Sequence, residues 1–395
     1  MKTVLTRDFL ALILSVAVVG VGYGATLPLT ALALSQAGYG TAVIGLLTAT
    51  QAFGGLAVAP LAAWVSTRFT NRQVITGAVL AVALATAAMQ ITANLWAWAL
   101  LRMVCGAALM LLFTIGEAWV NQLADDTNRG RVVAIYATTF TLFQMAGPVL
   151  VSQIADSLTW RFAICGAIFL VALPMLAAMR GTARASNVHD THDGHDGHGH
   201  AAQAGSWRHV LPRMPALVLA TAFFALFDTL ALSLLPLFAM DHGIGSEEAV
   251  LFASAVLLGD TALQFPIGWL ADKLGRERVH ALAGITVAVL LPLLPFVMGT
   301  PWLCWPLLFV LGAAAGAIYT LAVVACGERF EGVALVSASA VVSASWSAAS
   351  FAGPIVTGAL MEHAGRDAML WVLFAGVLVF LFALQWERTR RLVQA

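Results

Sequence analysis

Gly106-Ala107-Ala108 and Gly312-Ala313-Ala314 are the same three residues 206 positions apart, each inside a long apolar run. The same offset carries Pro60 onto Pro266, Arg72 onto Arg278, and Gly147-Pro148 onto Gly353-Pro354. Four matches at one spacing divide the chain into two similar halves. Around them, 61% of the 395 residues are apolar and 10% are charged, against roughly 25% charged in soluble domains. A soluble fold of this size has too little interior to hide so much apolar surface, so lipid is the solvent for much of it.

Twelve stretches have the roughly 20-residue length that crosses a hydrocarbon layer about 30 Å thick. They run over 8–34, 41–66, 73–91, 95–123, 131–155 and 160–179, then 215–240, 247–271, 278–298, 302–328, 335–361 and 367–386. Membrane-barrel strands alternate and are shorter, so the expected class is an all-α membrane protein of twelve transmembrane helices. The repeat arranges them as two pseudo-symmetric six-helix bundles, residues 1–180 and 215–395, joined by a linker over 181–214. A hydrophobic chain in two similar halves has the pattern of a secondary transporter.

With the N-terminus placed in the cytoplasm, seventeen Lys and Arg residues fall on that side, Arg161 and Arg366 fall opposite, and Arg102 lies inside a span. This bias predicts a multi-pass protein of the bacterial inner membrane with both termini cytoplasmic. The first span is too long for a signal-peptide core and has no convincing cleavage site, so it is read as a span. Cys105, Cys165, Cys304 and Cys326 all fall in spans without C-x-x-C spacing, which argues against a cysteine zinc site or disulfide framework. There is no G-x-x-x-x-G-K-[ST] loop, and no nucleophile, His and acid grouping stands out, so neither an enzyme nor a nucleotide-driven motor is expected. The expected partners are a small-molecule substrate and the lipid bilayer, with no nucleic acid, and the expected state is a monomer.

Gly268-Trp-Leu-Ala-Asp272-Lys273-Leu-Gly275-Arg276-Glu-Arg278, after the eighth span, resembles the loop signature G-x-L-A-D-[RK]-x-G-R-x-[RK] of the major facilitator superfamily. After the second span, where that family carries its first copy, Ala63, Ser66-Thr67-Arg68 and Asn71-Arg72 keep the basic residues and lose the aspartate and glycines. Arg102-x-x-x-Gly106 is similar to the family's Arg-containing motif in the fourth span. Gly147-Pro148 resembles the centre of the motif associated with antiporters, and Gly353-Pro354 is its second copy. Gly116-Glu117-Ala118-Trp119-Val120-Asn121 and Gly316-Ala317-Ile318-Tyr319 are similar to phrases of the bacterial YcaD-type branch.

The resemblance covers nearly the whole chain outside 181–210. It implies the major facilitator fold, alternating access, and a cavity lined mainly by spans 1, 4, 7 and 10. It also implies a gating latch at Asp272, Lys273, Arg276 and Arg278. Gly147, Pro148, Gly353 and Pro354 are expected to kink or thin their helices where the bundles meet. Proton-coupled efflux of a drug or metabolite is the implied direction; the substrate itself is left open.

Asp228 lies thirteen residues into the seventh span, about 20 Å along a helix that rises 1.5 Å per residue. An ionised carboxylate at that depth costs several kcal/mol unless paired. It therefore exchanges a proton beside a wet cavity, or it is a protonated acid bonded to a neighbouring helix. Arg102 and Glu117, fifteen residues apart on the fourth span, sit about 60° and about 22 Å from each other and cannot pair directly. Arg102 either binds an anionic group or biases an acid on another span; Glu117 either joins the proton path or bonds Arg129 or Arg131. Asp228, Arg102 and Glu117 are the candidate proton-coupling set, and Tyr23, Thr26, Asn121, Asp228 and Tyr319 the candidate substrate cavity. Asp260 reads as a link within the C-terminal bundle. Glu328 reads as a gate through Arg329-type contacts, or as solvated.

The linker holds His189, His192, His195, His198 and His200 interleaved with Asp190, Asp193 and Asp196. Imidazole and carboxylate together offer ligands to zinc, nickel or copper. They raise an alternative function, a divalent-metal or metal-complex exporter or a metal-regulated transporter. Metal in this linker aside, no cofactor is expected, and the proton gradient is the energy source.

Overall fold

The structure is a computed structural model that describes residues 7–123, 129–154, 160–178 and 210–394. Among these residues, twelve helices are long and apolar enough to cross a membrane. They are α1 (Asp8–Gln36), α2 (Thr41–Leu61), α3 (Asn71–Ala88), α4 (Leu95–Val120), α5 (Ile135–Ile154) and α6 (Arg161–Ala178). The second set is α7 (Pro215–Ser233), α8 (Ser246–Leu274), α9 (Arg276–Val297), α10 (Pro301–Arg329), α11 (Ser337–Ala364) and α12 (Ala368–Arg390). Each falls on one of the twelve apolar stretches.

The helices divide into two compact units. The first holds α1 to α6 together with Ser246–Ser254 at the start of α8; the second holds α7, the rest of α8, and α9 to α12. In the first unit α4 packs against α2 and α3, while α1 packs against α5 and α6. In the second, α7 packs against α10, α11 and α12, and α9 against α10 and α12.

The repeated glycines explain how these helices meet. A Cβ on Gly106 would strike the Gln51 carbonyl of α2, and one on Gly54 would strike the Met103 carbonyl of α4. The second unit repeats this reciprocal arrangement: Gly312 lies on the Val256 carbonyl of α8, and Gly259 on the Phe309 carbonyl of α10. Lipid tails are as apolar as leucine, so helix association in a bilayer rests on close van der Waals packing, which small residues permit. Gly106-Ala107-Ala108 and its copy are thus helix crossings, one in each unit.

The two Gly-Pro copies differ. Gly147 packs on the backbone of Gly24 and Ala25 in α1, and Gly24 in turn packs on the Gln144 carbonyl. Pro148 has no N–H to offer that carbonyl, and the helix is interrupted between Gln144 and Ala146. Pro354 instead sits inside a continuous helix over Gly332–Ala364, and Gly353 faces the Leu226 side chain of α7. Both glycines therefore serve packing within their own units. Of the two copies expected to kink or thin their helices, the first interrupts its helix and the second lies in a continuous one.

Gly312→Ala will lower the thermal midpoint of the detergent-solubilised protein by several degrees, because overpacking costs about 1–3 kcal/mol. Gly77→Ala, which meets nothing within 4 Å, will leave the midpoint in place. Equal shifts in the two variants would contradict the crossing.

Candidate functional site

Asp228 is half-buried on α7 and makes no hydrogen bond or ion pair among the described residues. The alternative of a carboxylic acid bonded to a neighbouring helix is therefore not what the structure holds. One turn before it, Phe224 stacks on Tyr319 of α10 at 5.2 Å between ring centroids and 14° between planes. Trp346 of α11 meets both rings edge-on, at 5.6 Å and 5.1 Å. One residue beyond Asp228, Thr229 Oγ1 lies 3.3 Å from Ser350 Oγ of α11. Helix α7 ends at Ser233 and resumes as a short helix over Leu235–Asp241 that contains Pro236.

A second carboxylate, Asp260 on α8, is buried and lies within electrostatic range of Asp228. Its Oδ1 accepts a hydrogen bond from Gln264 Nε2 at 3.3 Å on its own helix. It fits against α10 because Gly316 is there; a Cβ at that position would overlap Oδ1. The first unit has the opposite arrangement, with Gly55 on α2 facing the Met110 side chain on α4. Side chain and space have exchanged helices, and the second unit gains an acid.

In the first unit Arg102 is 1% exposed, inside the seam of α1 and α4. Its Nη1 donates to Thr30 Oγ1 at 3.2 Å and points at the Thr26 carbonyl at 3.5 Å, while Nε and Nη2 find no partner among the described residues. No carboxylate among the described residues pairs with it. Thr26, expected to line the cavity, is instead buried, and its hydroxyl donates to the Tyr23 carbonyl one turn back at 2.9 Å. A buried threonine hydroxyl satisfies itself on its own helix, so Thr26 serves α1 and, through its carbonyl, Arg102. Tyr23 is half-buried in a ring cluster with Phe113 of α4 and Phe140 of α5, at 6.3 Å and 5.7 Å. Glu117 is exposed on α4. Asn121 extends the same helix, and its side chain lies outside the described residues, as do those of Arg129 and Arg131.

The loop signature folds as a compact cluster. Gly275, at φ +90°, ends α8 in a conformation that side-chain-bearing residues rarely adopt, and Arg276 opens α9. Arg276 reaches back to Asp272 at 3.2 Å and also pairs with Glu328 at the end of α10. Lys273 lies over the Trp269 ring at 3.8 Å, and Arg278 is exposed. Glu328, expected to act through Arg329-type contacts, engages the signature arginine. Arg329 turns to Glu387 of α12 at 2.9 Å. Consecutive helical residues point about 100° apart, so these two reach different neighbours. Glu387 also accepts the Ala216 N–H at the start of α7 at 2.7 Å. Sequence reasoning missed Glu387, Phe224 and Trp346. The repeat offset could have flagged the last, since it carries Phe113 onto Tyr319 and Phe140 onto Trp346.

His189, His192, His195, His198 and His200 lie outside the described residues. Among the described residues no three His, Cys, Asp or Glu side chains are grouped to hold a metal.

The family model of the Major Facilitator Superfamily matches residues 12–259 and 217–393. The chain belongs to that superfamily. It is 25% identical over 355 residues to the uncharacterized MFS-type transporter YfkF of Bacillus subtilis, covering 90% of this chain and 88% of that one. It is 27% identical over 288 residues to the uncharacterized MFS-type transporter YcaD of Escherichia coli, covering 71% and 70% of the two chains. Its fold matches a point mutant of the nucleoside transporter NupG with a TM-score of 0.79 at 13% identity, covering 97% of this chain and 100% of that one. It matches a D-xylose-proton symporter with a TM-score of 0.73 at 17% identity, covering 94% and 96%.

A charge buried with two unsatisfied donors is costly to stability. Arg102→Met removes the charge and its unpaired donors and keeps most of the volume, so it relieves that cost. We expect this variant to melt at or above the wild-type temperature in detergent. A fall of several degrees would show that Arg102 is a structural strut.

Proposed function

We propose that this chain is a secondary active transporter that moves a small molecule across the bacterial inner membrane by alternating access, coupled to protons. The observation that carries the reading is Asp228, a carboxylate inside the apolar segment formed by α7 and the short helix Leu235–Asp241 that follows it, with no hydrogen bond or ion pair among the described residues. At that depth a lone carboxylate is held as the acid or exchanges its proton with a wet path, and ionisable groups in such positions mark ion and substrate pathways. Asp260 adds a second acid within electrostatic range. Arg102 in the other unit contributes a fixed positive charge, held by Thr30.

The preferred direction is efflux of a drug or metabolite, in exchange for protons. It rests on the resemblance of Gly147-Pro148 and Gly353-Pro354 to the motif associated with antiporters. Asp272, Arg276 and Glu328 supply the latch that opens and closes in the cycle, with both termini on the cytoplasmic side. Their pairing is largely exposed, so each contact is worth about 0–1 kcal/mol. A weak latch suits a transporter that must release it on every turn.

The test is a panel of organic cations, organic anions, neutral metabolites and divalent metals, added to proteoliposomes that carry an imposed pH gradient and an internal pH dye. At least one compound class should collapse the gradient through wild type, and Asp228→Asn should abolish that response while the protein remains folded. Compound uptake without proton movement would overturn the coupling. A response to metals alone, lost on deleting 189–200, would favour the metal exporter instead.

A further inference from the structure

Each unit carries a cluster of three aromatic rings on matching helices. In the first unit the rings are Tyr23, Phe113 and Phe140, with Phe113 and Phe140 edge-to-face at 4.7 Å. In the second they are Phe224, Tyr319 and Trp346. The 206-residue offset relates Phe113 to Tyr319 and Phe140 to Trp346, while it carries Tyr23 onto Thr229 and not onto Phe224, so two of the three rings are copies and the differences at those two positions are informative. Asp228 lies one turn after Phe224, and the same offset places Gly22 at its position in the first unit. Residues four apart on a helix share a face, so the carboxylate stands beside the second cluster. Where the acid appears, the two neighbouring phenylalanines have become tyrosine and tryptophan.

Packing alone does not need those changes, because the first cluster packs with phenylalanine at both positions. A cation does gain from them. Tryptophan is the ring that attracts a cation most strongly, and the attraction is largest where water is excluded. Tyr319 and Trp346 are half-buried, and Asp228 beside them makes no hydrogen bond or ion pair among the described residues. An apolar body needs the rings, and a positive centre needs the rings and the carboxylate together.

We propose that Phe224, Tyr319, Trp346 and Asp228 form a recognition site for an organic cation, with an onium centre on an apolar body. This deepens the transport reading above and rests on it, since the carboxylate that exchanges the proton is the one that takes the cation. The cation and the proton then compete for Asp228, and cation affinity rises with pH. Asp260, within electrostatic range, adds to the attraction. Gln264, bonded to Asp260, carries no charge, and Thr229 and Ser350 on the neighbouring faces do not titrate near neutral pH.

The test is equilibrium binding of radiolabelled tetraphenylphosphonium to the purified full-length protein in detergent, compared with tetraphenylborate. The two ions share a shape and carry opposite charges. Wild type should bind the phosphonium saturably, more tightly as pH rises, and should not bind the borate. Trp346→Leu should weaken phosphonium binding by about tenfold, the scale of one desolvated cation–π contact, and Trp346→Phe should restore part of it. Asp228→Asn, nearly isosteric, should weaken binding and remove its pH dependence, and it decides the matter if Trp346→Leu melts below wild type. Equal binding of both ions, or wild-type affinity in both Asp228→Asn and Trp346→Leu, overturns the site. Saturable phosphonium binding that is lost in Asp228→Asn but independent of pH in wild type would keep the site and remove the proton coupling. Proton flux driven by a neutral or anionic compound, with no phosphonium binding, would do the reverse.

Discussion

In a bilayer no hydrophobic force pulls one apolar helix onto another, so these bundles depend on how closely backbones can approach. The reciprocal glycine-on-carbonyl crossings of α2 with α4 and of α8 with α10 meet that need in each unit. The chemistry follows from this packing. Gly316 leaves the space that Asp260 fills, and the approach of α1 to α5 through Gly24 and Gly147 accompanies the clustering of Tyr23 with Phe140. A methyl group at any of these crossings would push apart helices that carry the candidate site.

The two units share a frame and have diverged in charge. Gly106 and Gly312 do the same work in both. Arg102 in the first unit corresponds by offset to Leu308 in the second, which is fully buried. Conversely, Asp228 of the second unit has Gly22 at the offset position of the first, and Asp260 has Gly55 in the comparable place of the helix crossing. One unit therefore holds a buried positive charge and the other a pair of carboxylates. Such asymmetry on a duplicated scaffold separates what the fold requires from what was added to it.

Much of the frame was legible in the sequence. Span lengths follow from the thickness of the hydrocarbon layer, and the repeat marks glycines that the structure places at crossings. Asp228 was legible because a lone acid in an apolar run is expensive enough to need a reason. Thr26 misleads, since a threonine in an apolar run reads the same whether its hydroxyl faces a cavity or bonds its own helix. Glu328 and Arg329 cannot be paired from their adjacency, because partner choice depends on which neighbouring helix each one meets. Glu387 is invisible for a similar reason: its partners Arg329 and Ala216 lie 58 and 171 residues away. Trp346 is related to Phe140 by the repeat offset, but its two ring neighbours are needed to give that relation a meaning.

The central claim is that Asp228 gains and loses a proton within the working pH range. Infrared difference spectroscopy of the protein in lipid, stepped from acid to alkaline pH, reads carboxylic acid and carboxylate directly. The account predicts a protonated-carboxyl band that disappears as pH rises, is missing in Asp228→Asn, and disappears at lower pH when tetraphenylphosphonium is bound. A band spectrum identical in wild type and Asp228→Asn across the titration would contradict it.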